Sequence, residues 1–194
     1  MELKMSLKEH NERKAKSYKM LLWFGMISMF MMFAGLTSAY VVSTSRPDWL
    51  NDFKLPNAFA FSTAVIIASS ITFHLAKNAI KKGNRGLTSA LLMATLVLGV
   101  AFVALQFYGF SQVIDAGFYF TGAASTVTTS FLYIVTIVHL AHLFAGLVVL
   151  LVVIYNHFKQ KYNPSQTLGI ELGAMFWHFL DILWVYLFLF FYFY

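Results

Sequence analysis

The chain has 194 residues, of which 59% are hydrophobic and only 11% charged, with a mean hydropathy of +0.69. A soluble domain carries about 25% charged residues, so a water-soluble globular fold is excluded and an all-α, polytopic membrane bundle is expected. The net charge of +6 does not indicate nucleic acid, because the basic residues flank apolar runs, and the lack of cysteine excludes disulfides, thiolate metal sites and cysteine nucleophiles.

Residues 1–19 form a basic tail carrying Lys4, Lys8, Arg13, Lys14, Lys16 and Lys19. The tail resembles an overlong signal-peptide n-region, but the apolar run behind it is too long and lacks a cleavage site, so a retained first helix is expected. A single membrane domain over 20–194 then holds five predicted spans, at about 20–42, 58–76, 88–108, 127–155 and 172–194, each near the ~20 residues a bilayer requires. Turn chemistry separates them: Arg46-Pro47-Asp48, then Lys82-Gly83-Asn84-Arg85-Gly86, then Asn163-Pro164-Ser165. The stretch 109–126, rich in Gly, Ser and Thr with Phe118 and Tyr119, is expected to lie along the interface. Ala34, Gly35, Ala39, Ala94, Gly99, Ala141, Ala145 and Gly146 are small enough to admit close helix approach.

Lys and Arg are distributed unevenly. The tail, the segment Lys77 to Arg85 and the segment Asn156 to Glu171 fall on one side of a five-span protein and hold 12 of the 14 basic residues. The other side has only Arg46 and Lys54, beside Asp48, Asp52 and Asp115. The positive-inside rule therefore places the N-terminus in the cytoplasm and the C-terminus outside. The three prolines all lie in loops and no repeat is visible, which argues against a transporter with broken helices.

Few polar side chains enter the spans. Asp181 is the one acidic or basic residue deep within any of them, about 14 Å from the cytoplasmic end, and a carboxylate at mid-membrane costs at least ~2.5 kcal/mol. His178 lies three residues before it on the same face, with Glu171 two turns further toward the cytoplasm. In the fourth span His139 and His142 share a face about 18–22 Å from the outer end. His74 lies near the cytoplasmic end of the second span.

Three readings of this set compete. Haem ligation needs imidazoles at matching depth on different helices, and these levels match poorly. A di-iron or zinc site would draw on His139, His142, His178, Glu171 and Asp181, yet paired Glu-x-x-His spacings are absent. In the third reading the groups satisfy one another, with Asp181 accepting from His178 or His142 as polar glue between helices. The aromatics after Phe176 then serve as packing and interfacial belt, with Trp177 at the inner interface and Tyr192 and Tyr194 at the outer.

The run from Glu171 through Trp177, His178, Phe179 and Asp181 to Trp184 resembles the last-helix signature of subunit III of the haem-copper terminal oxidases. His139-Leu140-Ala141-His142 followed by Gly146, Leu105-Gln106, and Ser69-Ser70-Ile71-Thr72 before His74 are similar to further segments of that family. The resemblance covers about residues 20–194. It implies a subunit without catalytic, cofactor or metal residues of its own, in a proton-pumping oxidase of the aerobic respiratory chain. Haem and copper would lie in subunits I and II. The subunit would pack chiefly on subunit I, with subunit II and small or supercomplex subunits as further partners, hold phospholipids, and sustain proton uptake and complex stability. On this view Glu171, His178, Asp181, His139, His142, Trp177 and Trp184 are a structural polar cluster, Lys159, Lys161 and His74 are candidates for lipid headgroups, and the location is a bacterial cytoplasmic membrane. The family's longer members have seven spans, so the first two are expected to be missing here. A membrane-embedded Glu common in the family is replaced by Met29. A quinol oxidase subunit III, a nitric oxide reductase-associated homologue, and a stand-alone haem or metal enzyme using His139, His142 and His178 are the alternatives.

Overall fold

The computed structural model describes residues 2–47, 49–50, 55–122, 125–164 and 166–193, with side chains from Glu9 onward except that of Asn11. Asp48, Asp52 and Lys54 of the charge count, Ser165 of the third turn, Tyr194 of the belt and the side chains of Lys4 and Lys8 lie outside the described residues. Five helices follow in chain order: α1 Glu2–Ser43, α2 Asn57–Lys81, α3 Arg85–Asp115, α4 Val127–Phe158 and α5 Leu168–Phe193. Each is long and apolar enough to cross a membrane.

Local chemistry sets the breaks. Pro56 stands at the N-cap of α2 with φ −58°, a position where its missing N–H costs nothing. Between α2 and α3 the chain reverses through Gly83 at φ +75°, which a Cβ would resist. Asn84 then caps α3 by accepting from the Leu87 N–H at 3.1 Å. Thr126 and Thr129 cap each other in a capping box at the start of α4.

All five helices overrun their predicted limits, α1 and α3 by the most. The 1–19 tail continues α1 from Glu2, because neither Gly nor Pro interrupts the sequence before Gly25. α3 runs to Asp115, so the first third of the 109–126 stretch is helix rather than interfacial loop. Phe110 and Val113 are buried there, and Phe110 stacks on Tyr133 at 5.2 Å.

α2 and α3 form an antiparallel hairpin whose register is fixed by Gln106 Nε2 donating to Ser62 Oγ (2.8 Å) and Ser69 Oγ donating to the Thr95 carbonyl (3.3 Å). α5 is the central element. Its backbone packs on α1, α2 and α4, and Trp177 reaches α3 at Gly99. A Cβ at Gly99 would stand 2.9 Å from the Trp177 ring, one at Gly146 2.6 Å from Leu180, and one at Gly173 2.8 Å from Val153. Close approach thus runs through Gly99 and Gly146 as expected, and through Gly173, which was not foreseen. Gly35, Ala39, Ala141 and Ala145 instead lie exposed, since a small residue admits a neighbour only on the stripe that faces one.

α1 is the least embedded helix, with 17% of its apolar window buried against 44% for α5. Its upper half is held by aromatic contact: Tyr40 meets Trp49, Phe131, Phe190 and Phe191 edge-on at 4.7–5.9 Å. Thr37 shares a 3.0 Å hydrogen bond with the Tyr186 hydroxyl. The lower half touches the bundle through Lys19 and Glu171.

Candidate functional site

The α5 sequence places Trp177, Asp181 and Trp184 at i, i+4 and i+7, one stripe of a helix. All three are buried and the stripe faces the bundle interior. Each indole N–H finds a hydroxyl on α2: Trp177 Nε1 donates to Ser69 Oγ at 3.2 Å, and Trp184 Nε1 to Thr63 Oγ1 at 3.0 Å. The six-residue step from Thr63 to Ser69 matches the seven-residue step between the tryptophans, as antiparallel helices at equal rise require. Trp177 is therefore a core residue and not part of the inner belt. A tryptophan with an internal acceptor gains nothing from the interface.

Asp181 sits between the two tryptophans, 3% exposed. The expected bonds from His178 or His142 do not form. Ser70 is the hydroxyl that faces the carboxyl, and it also pairs with His178 Nδ1 at 2.6 Å, while neither Asp181 oxygen has a hydrogen bond of close geometry among the described residues. His178 leans toward α2, its ring 6.0 Å from that of His74 and 6.3 Å from Phe73. A shared helix face sets the direction in which a side chain leaves the backbone, and the rotamer then chooses the partner. The geometry thus separates two groups that the sequence spacing had joined.

His139 and His142 lie on the α1 side of α4. Both rings pack edge-on against Phe33, at 6.3 and 5.8 Å, and His142 Nδ1 pairs with the Val138 carbonyl at 2.8 Å. His139 is fully buried against Phe102 and Trp184, and neither of its nitrogens is hydrogen-bonded within the described residues. Among those residues no group of three His, Asp or Glu side chains converges as a metal-holding set. Orphaned polar groups of this kind cost about 1–3 kcal/mol each when left unpaired.

Glu171 belongs to a different arrangement, at the lysine-rich end of the bundle where α5 begins. Its carboxylate accepts from Lys81 at 2.8 Å, Lys19 at 3.1 Å and the Thr167 hydroxyl at 3.0 Å, so one acid ties α1 and α2 to α5. Both lysines are more than 40% exposed, which limits each ion pair to about 0–1 kcal/mol. Beside this clamp a groove of about 450 Å³ opens between α1, α2 and α5. Lys77, Lys81 and Glu171 line its charged end and Trp23, Met26, Met175, Phe179 and Ile182 its apolar walls, with His178 between. Lys159 and Lys161 lie elsewhere, exposed past the end of α4, with Lys159 over the Tyr155 ring at 4.8 Å. His74 is exposed on α2.

Sequence reasoning missed the acceptors Thr63 and Ser69 and the cations Lys19 and Lys81. The matching steps of hydroxyls on α2 and indoles on α5 were a usable signal for the first pair. The second pair had none, because lysines beside a span serve topology in any case.

A family model described as Cytochrome c oxidase subunit III matches residues 4–194. Cytochrome c oxidase subunit 3 of Anopheles gambiae is 32% identical over 139 residues, covering 72% of this chain and 50% of that protein. The Drosophila yakuba protein of the same name is 30% identical over 169 residues, 84% of this chain and 61% of that one. Cytochrome bo(3) ubiquinol oxidase subunit 3 of Pseudomonas aeruginosa is 28% identical over 167 residues, 84% of this chain and 78% of that protein. The chain spans 50% and 61% of the length of the two insect relatives.

Proposed function

The chain belongs to the cytochrome c oxidase subunit III family, and from that membership we propose that it is the non-catalytic subunit III of a proton-pumping haem-copper oxidase. The observation that carries the reading is the family match over 4–194, joined to the use made of the signature stripe: Trp177, Asp181 and Trp184 are buried as packing of α5 on α2. In this reading the chain binds no haem, copper or other metal. It packs on subunit I, with subunit II and small or supercomplex subunits nearby, and supports proton uptake and the integrity of the complex. As donor to the complex we favour cytochrome c, the larger class among oxidases with a subunit of this kind. The quinol alternative is favoured by one specific finding, the similarity to the bo(3) ubiquinol oxidase subunit 3 over most of both chains.

The groove between α1, α2 and α5 supports the lipid-binding part of the reading. Three lysines (Lys19, Lys77, Lys81) and one acid (Glu171) leave its mouth cationic, and its walls suit an acyl chain. It joins cationic side chains to apolar walls in one recess, whereas Lys159 and Lys161 stand exposed past the end of α4. The uneven distribution of Lys and Arg supports an N-terminus on the cytoplasmic side, and the similarity to the Pseudomonas aeruginosa protein supports a bacterial cytoplasmic membrane.

Purification of the tagged chain in mild detergent tests the reading. Haem-copper oxidase is expected to co-elute, with its visible spectrum and oxygen consumption, while the chain stripped from the complex shows no Soret band. Stoichiometric haem or iron on the isolated chain would overturn it.

A further inference from the structure

Gln106, Thr136 and His139 are each at most 1% exposed, and each keeps polar atoms without a hydrogen bond among the described residues. Their places in the fold bring them to one level. Phe102 meets His139 at 6.3 Å and Phe110 stacks on Tyr133 at 5.2 Å, which fixes α3 and α4 as antiparallel neighbours. Gln106 lies midway between the two phenylalanines, and Thr136 midway between Tyr133 and His139. The two orphans therefore face the same layer from adjacent helices, with His139 one turn along from Thr136.

The unused valences are complementary. Gln106 Nε2 gives one of its two protons to Ser62 Oγ, whose own proton goes to the Phe59 carbonyl at 2.8 Å, so the acceptor Oε1 and the second amide N–H remain. Thr136 offers a donor and an acceptor, and His139 offers one of each on its ring. Thr136 also departs from the habit of this bundle. Thr63, Thr88 and Thr95 all turn their hydroxyls back to the carbonyl four residues earlier, at 2.8 Å, whereas Thr136 Oγ1 does not. Forgoing that local bond points to a partner across the layer. The surroundings, Phe102, Phe33 and Trp184, carry no charge to hold an ion, and a single imidazole with neutral oxygens is a poor metal set.

We propose that Gln106, Thr136 and His139 bind ordered water between α3 and α4, making a hydrated polar layer that extends the Ser62–Gln106 bond from α2 to α4. A buried water needs two to four polar partners, and these three residues supply them. In an experimental map of the purified protein that resolves water, a peak is expected within about 3.2 Å of Gln106 Oε1 and Thr136 Oγ1. A dry layer in such a map overturns the proposal. Thr136→Val provides a second readout whose sign differs between the cases. If water is bound, losing the hydroxyl breaks the network and lowers Tm by about 2–4 °C, and Gln106→Met then costs less in the Thr136→Val background than in the wild type. If the groups are dry orphans, the same substitution removes an unpaired polar atom and raises Tm, with additive effects. Should Thr136→Val fail to fold, the wild-type map decides alone.

Discussion

At Gly99 the Trp177 ring leaves no room for a methyl group, whereas Gly35 meets nothing within 4 Å. Gly99→Ala is thus expected to destabilise by about 1–3 kcal/mol through overpacking of a rigid ring, and Gly35→Ala to be nearly neutral, with thermal unfolding in detergent as the measurement. Equal effects would show that α5 does not pack at this depth. Asp181 permits a second comparison. Asp181→Asn keeps the volume, cannot ionise and adds a donor, so it should raise stability by about 1 kcal/mol, roughly 2–4 °C for a chain of this size. The haem spectrum of the complex should stay unchanged, and its loss with the subunit still bound would show that the acid does more than pack. At this scale the sequence was readable in part. Burial of Asp181 follows from its depth, but its neighbours do not, because His178 turns its Nδ1 to Ser70 on α2 and spacing along one helix says nothing about the rotamers on the next.

Helices meet most weakly toward the N-terminal end of α1, where one carboxylate answers two lysines. Glu171→Gln should cost no more than about 1–2 kcal/mol, since each exposed pair is worth at most ~1 kcal/mol. The gap from wild type should close at about 1 M salt, where the screening length falls to ~3 Å. Thermal unfolding at low and high ionic strength reads this directly. A gap that persists in salt would assign Glu171 a packing role instead. In the same region Lys77→Gln should reduce the anionic phospholipid retained after purification, as read by native mass spectrometry, and leave zwitterionic lipid unchanged. The existence and order of all five helices were legible from hydropathy. Their ends were less so: α3 continues past residue 108 because Phe110 and Val113 pack on neighbours, a tertiary reason invisible to a window of average apolarity.

For the molecule as a whole, orientation is accessible to a clean experiment, since the chain has no cysteine to mask. Lys14→Cys should react with an impermeant thiol reagent only from the cytoplasmic side and Tyr119→Cys only from the outside, and the reverse pattern would invert the topology. The centrality of α5 has a consequence for biogenesis. Among the described helices α1 packs on α4 and α5, and α5 is the last of the five in order. The 124 residues between Ser43 and Leu168 take about 6–25 s to translate at 5–20 residues per second. Through that interval the first helix waits in the lipid without its aromatic neighbours, Phe190 and Phe191, or its ionic one, Glu171. The α2–α3 hairpin can already have formed, but nothing yet holds α1 to it. α4 first brings Phe131, His139 and His142 to α1, and only α5 completes the packing, so an insertase or partner subunit that shelters α1 would act before then.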